Sequence, residues 1–365
     1  MRAFVIILTL FLSLSACSTG QKVVHSGVVK QTNTTTPSHH GLWYYLPKTV
    51  VQVEMVAEKR VYKAGPFYRF SQRFLNISDV VTQDKEEWVL VDAKISTFGK
   101  ADYTRLFSVS TSGQPALAAL NTSQDGVLLS INHPSNYISP NSDAKSLDDF
   151  ISLESVNFNE TPFSEEQLIK TSNTAMAEEV AKEIYRLRAL RKDLLQGDLD
   201  LLPPDGIAYE KALADIDRLE KSYLQLFVGK KEVQRVSRFY DFTPDESSSL
   251  ESVLLRFSDR NGFLDGQDVS GTPVYIEVEI KNGEKQNFVK SEDVKDKSNR
   301  GLVYCQPATA EVKIIDRTLL LSSQEVSLAQ FGQLLRMPAD LLDSQKVGVV
   351  LNPSTGAIEK ILLDQ

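Results

Sequence analysis

The sequence predicts an α+β fold with a β-rich N-terminal α+β domain, a central antiparallel helical pair and a C-terminal β-sandwich-like domain. Apolar and polar residues alternate with a period of two through Val51, Val53, Met55 and Ala57, and again through Val89, Val91, Ala93 and Ile95. The cleanest such run is Val274, Ile276, Val278 and Ile280, separated by Tyr275, Glu277 and Glu279. Each is the pattern of a strand with one buried face. Between residues 164 and 230 the period lengthens to that of a helix. Strands grouped apart from helices along the chain point to α+β rather than to alternating βα units.

Residues 1–16 read as a secretory signal, with Arg2 as its only charge, an apolar run from Ala3 to Leu14, and small residues Ser15 and Ala16 before the cleavage point. The run is shorter than the roughly 20 apolar residues a membrane-spanning helix needs. Leu14-Ser15-Ala16-Cys17 resembles the lipobox of bacterial lipoproteins. That resemblance implies cleavage between Ala16 and Cys17, lipid attachment at the Cys17 thiol, and acylation of the new amino terminus with palmitate-type chains. The membrane is then a partner through the lipid alone.

Residues 17–40 are rich in Ser, Thr, Asn, Gly and Gln and read as a flexible tether. A stretch of this length spans about 25 to 30 Å on average, which would hold the body clear of the bilayer. No acidic residue occurs between Cys17 and Glu54. In the Bacteroides-type lipoproteins this one resembles, acidic residues just after the lipidated Cys favour export to the surface. Their absence implies an outer-membrane anchor facing the periplasm. His39-His40 sits on this tether and makes no preformed metal site.

Residues 41–163 are expected to form the N-terminal domain, an antiparallel sheet with a short helix from Phe67 to Leu75 lying across it. Residues 164–230 carry two apolar stripes, Met176-Val180-Ile184-Leu187-Leu190-Leu194 and Tyr209-Leu213-Ile216-Leu219-Tyr223-Phe227. Gly197, Pro203-Pro204 and Gly206 separate the two helices, and Gly229 is placed to cap the second. Glu178–Lys182 and Asp217–Lys221 have the spacing of favourable pairs on outer faces. Residues 231–365 return to the β period, with Val312 and Ile314 on one strand, and Val347, Val349 and Leu351 meeting Ile358 across the turn Asn352 to Gly356.

Composition excludes several classes. Loss of Arg2 with the signal leaves 39 Lys and Arg against 48 Asp and Glu, a net charge of −9 with no basic block. Nucleic acid and electrostatic docking on anionic lipid are therefore not expected. Of the two cysteines the lipobox takes Cys17, so Cys305 has no partner within the chain and reads as a buried, inert thiol.

No catalytic residue and no cofactor is assigned. Outside residues 1–40 the single imidazole is His133, in the loop-like Asn132-His133-Pro134, and no Gly-x-Ser-x-Gly elbow occurs. Asp259-Arg260-Asn261-Gly262 with Asp265 and Asp268 has some character of a calcium loop. Phe263, Leu264 and Ser270 stand where that loop needs a ligand, a glycine and a bidentate acid, so a hairpin connection is the better reading. Glu86-Glu87 and Asp148-Asp149 are adjacent acid pairs of the kind found on solvated surfaces. Trp43-Tyr44-Tyr45 could offer a carbohydrate-stacking platform, though a core strand is the simpler reading.

Several passages together resemble an uncharacterised family, the domain of unknown function 4831. They are Gly41 to Thr49, Lys63 to Tyr68, Leu202 to Gly206, Leu226 to Lys230 and Asn352 to Ile358. The resemblance implies an envelope lipoprotein and transfers no activity, substrate or site residue. The expected function is a non-enzymatic binding or assembly role with an envelope protein or glycan as partner. A glycan or peptide hydrolase of the envelope using acidic residues is the alternative.

Overall fold

The computed structural model describes residues 41–110, 120–134, 150–197, 206–244, 251–281, 301–338 and 347–363. The signal, Cys17 and the tether lie outside them.

Two long strands, β1 (Gly41–Lys63) and β2 (Lys85–Ser110), form an antiparallel hairpin, and β5 (Lys230–Phe242) pairs antiparallel with the other edge of β1 from Val51 to Lys63. A second sheet has the order β10-β9-β8-β6-β7, built from β6 (Glu251–Ser258), β7 (Gly262–Leu264), β8 (Thr272–Ile280), β9 (Gly301–Asp316) and β10 (Leu319–Pro338). A third has the order β12-β11-β4-β3, from β3 (Leu120–Thr122), β4 (Leu128–Ile131), β11 (Val347–Leu351) and β12 (Ile358–Leu363).

The alternating residues go where their period directs. Val51, Val53, Met55 and Ala57 of β1 meet Val274, Ile276 and Val278 of β8 and Val312 and Ile314 of β9 in one apolar core. A second core gathers Tyr44 and Leu46 of β1, Leu302 and Val303 of β9, and Val347, Val349 and Leu351 of β11. β1, β2, β9 and β10 run 23, 26, 16 and 20 residues, against a usual length of about five or six. Their length lets β1 and β9 pass through both cores. Register shifts lie at Tyr45/Pro47 in β1 and at Leu328/Gln333 in β10. The Tyr44 hydroxyl joins β1 to β9, donating to the Val303 carbonyl at 2.9 Å and accepting from its N–H at 2.9 Å.

Helices α3 (Asn173–Gln196) and α4 (Gly206–Val228) form the expected pair over a third core. Val180, Ile184, Leu187 and Leu194 of the first stripe are buried, as are Ile216, Tyr223 and Phe227 of the second, while Leu190 is exposed. Ser172 caps α3 by accepting from the Ala175 N–H, and Gly197 ends it at φ 74°. Two ion pairs, Arg188–Glu220 at 2.6 Å and Arg191–Asp217 at 3.2 Å, cross between the helices. Asp217 thus reaches across the hairpin instead of to Lys221. A short helix, α2 (Glu165–Leu168), precedes α3 with a Ser164–Gln167 capping box.

Two expectations need correction. The short helix near Phe67 exists as one 3-10 turn (Tyr68–Phe70) and α1 (Ser71–Leu75), but it packs on the helical pair rather than across the sheet. The Phe67 and Phe227 rings stand 5.5 Å apart. The boundaries at 163/164 and 230/231 do not separate independent β domains. β5 completes the β1 sheet, β11 pairs with β4, and His40–Gln365 forms one compact unit. The reason is that edge pairing satisfies backbone groups on both flanks of β1, which one hairpin partner cannot do. The α+β class itself stands, with antiparallel sheets throughout.

Candidate functional site

A groove of about 440 Å³ opens where the start of β2, the β6–β7 turn and the β9–β10 turn converge. Its volume lies within the roughly 300–1,000 Å³ of ligand pockets. Its acids are Glu86, Glu87 and Asp259, and its bases are Lys85, Arg260 and Arg317. Lys85 reaches Glu87 at 2.5 Å and holds the Glu87 carboxyl below the usual carboxylate range. Glu86 pairs with Lys59 at 3.4 Å and accepts from the Leu153 N–H. Asp259 lies 4.0 Å from Arg317. Charges matched in this way make a polar surface, not a poised general acid.

Beside the groove, Asp316 at the end of β9 differs from these acids. Its Oδ1 is buried without a hydrogen-bond partner among the described residues. Burial raises its carboxyl above the usual range, Arg317 partly opposes this, and Asp259 adds to it. A raised folded-state affinity for the proton means that stability is fully present below the unfolded-state value and lost as pH rises through the folded one. Asp316→Asn is therefore expected to stabilise the chain at neutral pH, with the gain vanishing in acid. Urea titrations at the two pH values check this, and a variant no more stable at neutral pH than in acid would contradict it.

Glu86-Glu87 faces the groove, while Asp148-Asp149, Ala16, Cys17, His39 and His40 lie outside the described residues. The His133 Nδ1 is buried without a hydrogen-bond partner among the described residues; the His133 carbonyl, by contrast, accepts from Asn121 at 2.6 Å and from Ser130. Asp265 and Asp268 accept the Gln267 and Ser270 N–H groups of their own turns. Among the described residues no group of three or more His, Cys, Asp or Glu could hold a metal ion. Cys305 is fully buried, donates to the Ala329 carbonyl at 3.2 Å, and has its thiol pushed up to about 11 by burial. Thiol reagents at neutral pH are expected to leave it unmodified until the chain unfolds, because the thiolate is the reactive form. Mass spectrometry with and without denaturant reads this directly, and labelling of the folded chain would refute it.

Two surfaces are apolar instead. On the third sheet Ile361 pairs with Val349 and Leu363 with Val347, so both extend the buried face of β11. Yet Ile361 is 55% and Leu363 73% exposed, and among the described residues β12 is hydrogen-bonded on one side only. On the β1–β2 ribbon Trp43 and Tyr45 point away from the core that takes Tyr44. Trp43 is 39% exposed and Tyr103 is 70% exposed, with the Tyr103 and Tyr45 rings edge to face at 5.3 Å. Only Tyr44 of the three expected platform aromatics is a core residue. Tyr103 lay in no alternating run and gave no signal beyond its type.

The family-like passages meet in pairs. Lys63 to Tyr68 joins Leu226 to Lys230, where the Phe67 N–H donates to Leu226 at 2.9 Å and a side chain on Gly65 would strike that same carbonyl at 2.3 Å. Gly41 to Thr49 joins Asn352 to Ile358, where the Thr49 hydroxyl donates to Ser354 at 2.8 Å and Gly356 abuts Pro47. Gly206 opens α4, and Leu202 to Asp205 lie outside the described residues. The described parts of these passages are joints of the fold.

The architecture is thus that of a β-rich α+β protein whose signature segments hold its sheets and helices together. A family model described as domain of unknown function (DUF4831) matches residues 40–359, and the chain belongs to that family. No curated protein and no solved structure matches it. Among the described residues no helix is long and apolar enough to cross a membrane.

Proposed function

We propose that the chain is a lipid-anchored envelope lipoprotein, cleaved between Ala16 and Cys17 and held through Cys17 in the outer membrane facing the periplasm, and that its body binds a partner without catalysis. The observation that supports binding is β12. Ile361 and Leu363, on the face it shares with β11's buried side, are exposed beside a strand edge that no described strand pairs, an arrangement that natural proteins otherwise blunt. On β5 the exposed side chains include the charged Lys231, Arg235 and Arg238 beside Val233 and Phe239, whereas the last three residues of β12, Ile361 to Leu363, are all apolar and exposed. An extended segment of an envelope protein would pair with β12 and cover both side chains.

A photo-crosslinker at Leu362 in the full-length lipidated protein tests this in cells. One dominant envelope protein is expected in the adducts, lost on Ile361→Lys with Leu363→Lys and lost on Cys17→Ala. Adducts that persist in the double variant, or none at Leu362, would remove the strand-addition reading, and a glycan adduct would replace the protein partner.

Asp316 favours a second reading, a hydrolase of envelope glycans or peptides with Asp316 as proton donor and Asp259 as its neighbouring acid. Such an enzyme would lose turnover on Asp316→Asn while gaining stability, a pairing that a purely structural acid does not produce.

A further inference from the structure

We infer that the aromatic patch formed by Trp43, Tyr45, Tyr103 and Leu106 rests in the headgroup region of the membrane that carries the anchor. This rests on the lipid-anchor reading and goes beyond the partner-binding one. Tyr45 and Leu106 are cross-strand partners and so share a face, Trp43 lies two residues from Tyr45 on that face, and Tyr103 packs against Tyr45. Trp43, Tyr103 and Leu106 are each more than a third exposed. Rings with an apolar body and a polar handle favour the boundary between water and lipid.

Beyond the patch, the outward surface of these strands mixes charged pairs with the single exposed apolar side chains Val233 and Phe239. It carries ion pairs, Lys94–Glu54 at 3.6 Å, Arg235–Glu58 at 3.1 Å and Lys100–Asp241 at 3.2 Å. Arg105, next to the patch, is engaged by Asp102 at 3.3 Å and by the carbonyls of Ala329 and Gln330. The patch therefore adds no free positive charge, and the mature chain carries −9. Adhesion would be apolar and insensitive to salt.

Position in the chain selects lipid over other occupants. Trp43 is the second residue beyond Gly41, where β1 begins, and 23 residues separate Cys17 from Gly41. A Ser/Thr-rich stretch of that length averages about 25 to 30 Å, so the patch belongs to the part of the body tied nearest the bilayer. Tethering makes the contact intramolecular, at an effective concentration on the order of millimolar, so that a weak interfacial affinity is enough. The tether that was expected to hold the body clear of the membrane is also long enough to let it lie down.

The full-length lipidated protein in vesicles of phosphatidylethanolamine and phosphatidylglycerol, with or without nitroxide on the acyl chains, provides the test. Trp88 is buried and serves as the internal reference. Nitroxide lipid is expected to remove the Trp43 component of the emission and leave that of Trp88, in low and high salt alike. Tyr103→Ser with Leu106→Ser should restore the Trp43 component while the chain still floats with the vesicles. Floating protein whose Trp43 is quenched by aqueous acrylamide and not by nitroxide lipid would overturn the docking and leave the anchor intact. Shielding from both quenchers would place a second copy over the patch and also overturn it. An unmodified Cys17 by mass would remove the anchor and the docking together.

Discussion

Replacing Gln330 by Leu is expected to cost the fold about 3 to 9 kcal/mol, from three buried groups left unpaired at about 1 to 3 kcal/mol each. The Gln330 side chain is buried where β10 bulges away from β9, between Leu328 and Gln333. Its Oε1 accepts from the Thr49 N–H at 3.0 Å, and its Nε2 donates to the Thr49 carbonyl at 3.1 Å and to the Pro244 carbonyl at 2.7 Å. On this flank of β1 the partner strand β5 begins its pairing only at Val51. The Gln330 amide therefore takes the place of the next peptide group and closes the ladder with both donor and acceptor. Thr49 completes the joint, its hydroxyl accepting from the Ala329 N–H at 2.9 Å and donating to Ser354 at 2.8 Å. Thr49→Val should lose about 2 to 6 kcal/mol for the two groups it strands, whereas Thr49→Ser should stay near the parent. Since whole-domain stability is about 5 to 15 kcal/mol, Gln330→Leu could leave little folded chain. Urea titrations decide the matter, and a Gln330→Leu midpoint close to the parent would show that the amide is not holding β1.

Gly229→Ala should lose about 2 to 5 kcal/mol, combining about 1 to 2 for a left-handed residue with about 1 to 3 for overpacking. Gly229 ends α4 at φ 85°, its N–H donating to the Gln225 carbonyl at 2.8 Å. A Cβ there would lie 2.5 Å from the Lys63 carbonyl oxygen and 2.8 Å from the Val81 Cβ, where helix and sheet join. Gly197, at φ 74°, ends α3 with nothing within 4 Å of the same position. Gly197→Ala should therefore carry the backbone cost alone, about 1 to 2 kcal/mol. The comparison separates conformation from close approach, and equal losses at the two glycines would show that the junction can relax.

Both glycines were legible as helix ends from the sequence, because a C-terminal cap is a local requirement on φ. The same holds for the strand faces. Val51, Val53, Met55 and Ala57 declare a buried side by alternation alone, and the helical stripes declare theirs by spacing. Cys17 and Ala16 are likewise read from a contiguous segment.

What alternation leaves open is which strand lies at each edge, since edge hydrogen bonds are made by backbone groups that every residue shares. Only the tertiary structure paired β1 with β5 and β11 with β4, and so merged two expected β domains into one unit. It alone brought Gln330 to Thr49, 281 residues away in the chain, and Tyr44 to Val303, 259 away. Asp316 looked like any acid at a strand end, and its raised carboxyl arises from desolvation by neighbours that folding supplies. Exposure at Ile361, Leu363 and Tyr103 was decided in the same way. A residue type records how strongly a side chain prefers burial, and the packing of distant segments settles whether anything arrives to cover it.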